Sequence, residues 1–182
     1  MTVIIICSIG ALLLLVTVIY FNRFTRYKNR VKNAWSDIDV QLKRRYSLVP
    51  NIVETVKGYS AYERSVLENI TNSRSLALQA KNVTDLSHAE NMLTGALKGL
   101  FVMVENYPEL LANQNFLKLQ ETLIDIEENL QMARRYYNAI VRDNNTAVES
   151  FPGNLFAKLF GFSSKEFFEI EALERQNIKV VN

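Results

Sequence analysis

Residues Val3 to Phe21 read VIIICSIGALLLLVTVIYF, nineteen positions without a charge. At ~1.5 Å of rise per residue, a helix of that length covers roughly 28 Å, the thickness of a bilayer's hydrocarbon core. Its only polar members are Cys7, Ser8, Thr17 and Tyr20. Tyr20, Phe21 and Tyr27 sit where an interfacial aromatic belt belongs. A cleaved signal peptide fits poorly. No basic side chain precedes the run, and no small-x-small site follows it. A lipoprotein signal fails as well, because Cys7 comes too early. A buried core helix sits badly with an uncharged stretch that opens directly into a basic cluster. The expectation is an uncleaved transmembrane anchor over residues 1–22, with its limits at Val3 and Phe21.

That basic cluster sets the expected orientation. Arg23, Arg26, Lys28, Arg30 and Lys32 follow the run with no acid among them, and only Met1 and Thr2 precede it. The positive-inside rule then puts the N-terminus outside and the rest of the chain in the cytoplasm, at the cell membrane. The same cations are attracted to anionic headgroups, at ~1 kcal/mol each near the surface. A topology determinant explains them more simply than a specific lipid site. The charge is local. Residues 23–45 hold eight cations against Asp37 and Asp39, whereas 13 basic residues face 17 acidic ones from Tyr46 onward. Lys43-Arg44-Arg45 alone would suggest nucleic acid. Such binding needs broad phosphate neutralisation, which an acidic remainder does not offer, so nucleic acid is not an expected partner.

Six Gly and three Pro in 182 residues leave few breakers, which favours long helices over a many-stranded sheet. Between Asn115 and Val148, apolar residues stand at Phe116, Leu119, Leu123, Ile126, Leu130, Ala133, Tyr137 and Ile140, and the stripe continues through Asn144 to Ala147 and Val148. The steps alternate between three and four, a heptad-like pattern held for about nine turns. A helix of this kind lays its stripe against partner helices. A second stripe runs Val31, Trp35, Ile38, Leu42, Val49, Ile52, Val56, Tyr59, Val66, Ile70 and Ala77, with Arg45 and Glu63 filling two steps. Pro50 interrupts it. Proline removes a helical hydrogen bond but suits a first turn, and Ser47 is placed to cap one. The spacing predicts a helix ending near Tyr46 and another starting near Leu48. One helix continuing through Pro50 is the alternative that the unbroken register keeps open. A third helix is expected after Asp85 or Ser87, with Ser87-x-x-Glu90 as a capping box, ending near Asn106-Tyr107-Pro108. Gly95 and Gly99, within its stripe, are expected to permit close helix packing. The fold class is all-α: a transmembrane helix, then an antiparallel up-and-down bundle of about four helices over residues 23–150.

Residues 151–182 form an aromatic tail with a short helix. Phe151-Pro152-Gly153 opens it, and Leu155, Phe156, Leu159, Phe160 and Phe162 follow. The simplest expectation is that it caps one end of the bundle. A dip into the membrane surface and a partner groove are the alternatives. Gln176 to Asn182 reads as frayed or extended.

Several of these segments together resemble the LemA family of bacterial proteins. They are Trp35 to Arg45, Leu48 to Gly58, Glu105 to Leu110, Ala112 to Leu117, Ala133-Arg134 with Tyr137-Asn138, Ser150 to Leu155, and Gly161-Phe162 with Glu166 to Glu169. The likeness covers essentially the whole chain in order. It implies a single-pass membrane protein with a helical-bundle domain, and it implies no established biochemical activity. Some relatives carry a lipoprotein-type signal. This chain does not, so a lipid-attached location is not implied for it.

Catalytic sets are hard to find. Cys7 lies in the anchor, and the single histidine, His88, sits beside Ser87 with no visible partner. No Gly-rich phosphate loop occurs. A bundle di-metal site pairs Glu-x-x-His motifs, and none is present. Asp37, Asp39, Glu127 and Glu128 read as solvated or paired, with Asp39 and Lys43 as an i,i+4 pair and Glu127 bridging Arg134 at most loosely. No catalytic residue, metal site or cofactor is therefore expected. The reading is a non-enzymatic scaffold or interaction module at the membrane. A regulatory or accessory subunit docking another membrane protein is the alternative. An enzyme of unrecognised class comes third, and a cluster of charges buried inside the bundle would favour it. Expected partners are the membrane, an unknown protein and, as the stripes allow, a second copy of the chain.

Overall fold

In a computed structural model, residues 1–59 and 64–169 are described. Among them the chain is all-helical. The helices are α1 (Thr2–Lys57), α2 (Arg64–Gln79), α3 (Val83–Val104), α4 (Pro108–Leu111), α5 (Gln114–Glu149) and α6 (Gly153–Phe160). They divide into two compact units, one of residues 1–37 and 135–166, the other of residues 38–134 and the segment from 167. α1 and α5 each contribute to both.

The first unit contains the apolar run. α1 is long and apolar enough there to cross a membrane. Its polar side chains are satisfied within the helix. Ser8 Oγ donates to the Ile4 carbonyl at 2.8 Å and Thr17 Oγ1 to the Leu13 carbonyl at 2.7 Å. Past the run, Phe24, Ala147 and Ala157 form a small core, with Tyr20, Tyr27, Val148, Phe156 and Phe162 packed around it. Gly153 lets α6 approach α5, since a Cβ there would lie 2.3 Å from the Ala147 carbonyl oxygen. Gly161 ends α6 at φ 71°, a left-handed cap that suits glycine. The chain beyond is tied to α5. Asn145 accepts from the Lys165 N–H at 2.8 Å, Ser164 donates to Glu149 at 2.7 Å, and Tyr137 donates to the Glu166 carbonyl at 3.0 Å.

In the second unit, the stripes fill the core: Ile38, Leu42, Val49 and Ile52 from α1, Ile70 from α2, Leu93 and Leu100 from α3, and Phe116, Ile126 and Leu130 from α5 are all buried. Three sequence expectations need correction here. α1 does not end near Tyr46, because Pro50 lies inside it. Proline has no N–H to give the Tyr46 carbonyl four residues back. Arg74 of α2 donates Nε to that carbonyl at 2.9 Å instead. α3 begins earlier than Ser87-x-x-Glu90 suggests. Asn82 is the cap, accepting from the Asp85 N–H at 2.7 Å, and Ser87 lies within the helix with its hydroxyl on the Val83 carbonyl. Gly95 and Gly99 admit no close helix, for a Cβ at either would meet nothing within 4 Å. The single turn α4 and the cap of α5, where Asn113 Oδ1 accepts from the Asn115 and Phe116 N–H groups at 2.9 and 3.1 Å, complete the unit. Glu63 and the Gln176–Asn182 stretch lie outside the described residues.

Candidate functional site

Charged side chains from three helices meet inside the second unit. Arg45 of α1 and Glu90 of α3 have no exposed surface, and Arg134 of α5 is buried. Glu90 is the hub. Its Oε2 accepts from Arg45 Nη1 at 2.6 Å and from Arg134 Nη2 at 2.9 Å, and its Oε1 accepts from the Tyr46 hydroxyl at 2.7 Å. Arg45 Nη2 donates to Thr94 Oγ1 at 2.9 Å and lies 2.6 Å from Glu127 Oε1. That last contact is an ion pair without hydrogen-bond alignment, so Glu127 Oε1 counts as close to its counter-ion yet unsatisfied as an acceptor. The guanidinium of Arg134 also stacks over Phe168, 4.6 Å from the ring centre.

Two guanidiniums thus face two carboxylates, a balanced set in which Arg45, Glu90 and Arg134 are buried and Glu127 is partly exposed. Removing two ions from water is unfavourable unless geometry and hydrogen bonds compensate, and Glu90 supplies both. Burial and then the Glu90 charge push the Tyr46 hydroxyl well above its ordinary value. Burial pushes Arg134 down, and Glu90 opposes that shift. Tyr137, in the other unit, is raised by burial and by Glu166.

Beside the cluster opens a cleft of about 410 Å³ between α3 and α5. Arg45, Thr94, Glu127 and Arg134 form its polar wall, and Leu97, Phe101, Leu123 and Ile124 its apolar one. The Nε atoms of Arg45 and Arg134 are buried and have no hydrogen-bond partner among the described residues.

Of the residues singled out from the sequence, Glu127 joins the cluster and the others lie elsewhere. Val3 and Phe21 bound the exposed apolar stretch of α1, and Arg23, Arg26, Lys28, Arg30 and Lys32 are exposed just after it. Arg23 lies over the Tyr27 ring at 5.8 Å. Cys7 and His88 are exposed. Asp39 pairs with Lys43 at 2.7 Å, as its spacing suggests. Glu127 turns to Arg45 rather than Arg134. Sequence reasoning missed the cluster because it placed Glu90 in a cap and Arg45 in a gap of the stripe. The signal was nevertheless local. Glu90, Leu93, Leu97, Leu100 and Val104 follow steps of three and four, and Arg134 falls between Leu130 and Tyr137 in the same rhythm. A charge on a core-facing step needs a buried partner.

Comparison with known proteins gives the chain its relatives. The profile of the LemA family matches residues 34–181. Protein LemA of Metamycoplasma hominis is 26% identical over 161 residues, which cover 86% of this chain and 72% of that one. Magnetosome protein MamQ 2 of Paramagnetospirillum magneticum is 22% identical over 175 residues, covering 82% of this chain and 64% of its own. Magnetosome protein MamQ of Magnetospirillum gryphiswaldense is 21% identical, over 81% of this chain and 64% of that protein. The chain thus spans a little under two thirds of the length of these magnetosome relatives. An apolar N-terminal helix, stripes that close on one another within one chain and a family match over most of the length lead to one conclusion: the chain belongs to the LemA family.

Proposed function

We propose that the protein is a membrane-anchored, non-enzymatic interaction module, with its N-terminus outside and its helical units in the cytoplasm. The observation that carries this reading is the way Glu90 is held: Arg45 and Tyr46 of α1 and Arg134 of α5 all donate to its carboxylate. Three donors converge on Glu90, and burial moves the Tyr46 hydroxyl away from neutral pH, so it is poorly matched to proton transfer there. The cluster joins helices. The orientation rests on the five exposed cations after the apolar run.

One observation favours the rival reading of an enzyme: buried charges line a cleft with apolar walls. Site-specific photocrosslinking separates the two. Probes at Asp125 and Met132, both exposed on α5, would be placed in the full-length protein in intact cells. The expected result is one dominant membrane partner captured from both positions. Capture of the same chain alone would replace that partner with a homo-oligomer. Steady turnover of a substrate by the purified full-length protein in vesicles would overturn the proposal.

A further inference from the structure

One face of α6 is packed and the other is bare. On the packed side, Phe156 stacks on Tyr20 with ring centres 4.8 Å apart, and Phe160 meets Phe21 edge-on at 5.2 Å. Just past the Gly161 cap, Phe162 reaches Phe21 at 6.0 Å and Phe24 at 5.2 Å. On the other side, Leu155 and Leu159, one turn apart, are 61% and 71% exposed, and Phe151 ahead of them is 80% exposed. Two large apolar side chains on so short a helix, with a third just ahead of it, make an exposed patch that calls for an occupant.

The position of α6 identifies that occupant. Phe156 and Phe160 meet Tyr20 and Phe21, the last two residues of the uncharged run, and Phe162, just past the cap, meets Phe24 one turn later. Arg23 and Arg26, the first cations after the run, are exposed at the same level of α1. This is the level at which hydrocarbon gives way to headgroups. The packed face of α6 therefore lies against the end of the run that lipid covers on the anchor, with Leu155 and Leu159 exposed beside it.

We propose that α6 is a second membrane element, lying in the interfacial layer beside the end of the anchor. Phe151, Leu155 and Leu159 enter the acyl boundary. Lys158, exposed on the same short helix, stays with the headgroups alongside Arg23 and Arg26, so the partner is an anionic lipid surface. The inference rests on the reading of α1 as a membrane anchor.

The test keeps the two apart. Cys7→Ala removes the native thiol. Leu12→Cys, Leu155→Cys, Leu159→Cys and Glu121→Cys are then made one at a time in the full-length protein and labelled with an environment-sensitive fluorophore. Each is reconstituted into phosphatidylcholine–phosphatidylglycerol vesicles, with or without lipids carrying a nitroxide on the upper acyl chain. The expected result is loss of emission to the lipid-borne nitroxide at 12, 155 and 159, and none at 121. Quenching at 12 without quenching at 155 and 159 overturns the interfacial helix and leaves the anchor standing. No quenching at 12 overturns the anchor, and the inference with it.

Discussion

Glu90 takes three hydrogen bonds from side chains that begin on α1 and α5, with no surface of its own in water. Replacing it with Leu leaves two guanidiniums buried without their shared counter-ion. Breaking one partner out of a buried ion set costs about 3–5 kcal/mol, and denaturant titration of Glu90→Leu should show a loss of that size. The combined variant Arg45→Met, Glu90→Leu, Arg134→Met removes the three buried charges, leaves only the partly exposed Glu127, and should recover much of the loss. A triple variant as unstable as the sum of its parts would contradict this. Tyr46 makes the cluster sensitive to alkali. Its folded value lies above its unfolded one, so its contribution is complete below the ordinary tyrosine pKa near 10 and is lost as pH rises beyond it. Unfolding midpoints of wild type should fall from about pH 9 to about pH 11, and Tyr46→Phe should fall less. Arg134, shifted downward chiefly by burial, works in the opposite sense in both proteins, and Tyr46 is the smallest influence on it. An equal fall in both would exclude Tyr46 as a source. The core-facing places of Arg45 and Glu90 were legible in the sequence, because periodicity is local. Their partnership was not, because it depends on which helices become neighbours.

Among the helices, Pro50 shows how a missing donor is replaced. The Tyr46 carbonyl is served by Arg74, 28 residues away in sequence. Arg74→Ala should cost about 1–3 kcal/mol, the range for a buried acceptor left unpaired. In the Pro50→Ala background the new backbone N–H takes over, and the cost of Arg74→Ala should shrink. A double-mutant cycle on unfolding free energies measures that coupling, and a cycle with no coupling would refute the replacement. Glycines give a second contrast. Gly153→Ala drives a Cβ into the Ala147 carbonyl and should destabilise by about 1–3 kcal/mol. Gly95→Ala and Gly99→Ala meet open space within α3 and should each stabilise by about 0.5–1 kcal/mol. Thermal melts of the three variants check both signs. The existence of α3 and α5 was readable from apolar spacing. The continuity of α1 was half readable: the unbroken register kept one helix through Pro50 open, but the arginine that serves the Tyr46 carbonyl lies on another helix.

For the whole molecule, the expected orientation depends on five side chains. Replacing Arg23, Arg26, Lys28, Arg30 and Lys32 with Gln should yield a mixture of orientations, read as accessibility of a Met132→Cys thiol, in a Cys7→Ala background, to an impermeant reagent in intact cells. An unchanged single orientation would show that other features dominate. Anchor and basic cluster were legible because lipid imposes composition directly. The bare face of α6 was only half legible, since the sequence shows its apolar residues but not which of them Tyr20, Phe21 and Phe24 cover. The shared carboxylate of Glu90 bears on local opening as well. If α5 frays near Arg134 or α1 near Arg45, a buried ion loses a partner while the others stay desolvated. Partial opening of any one of α1, α3 or α5 at this level is therefore penalised by the other two. Around Glu90 the three helices should therefore behave as a single cooperative unit, with hydrogen exchange there expected to proceed by their joint opening.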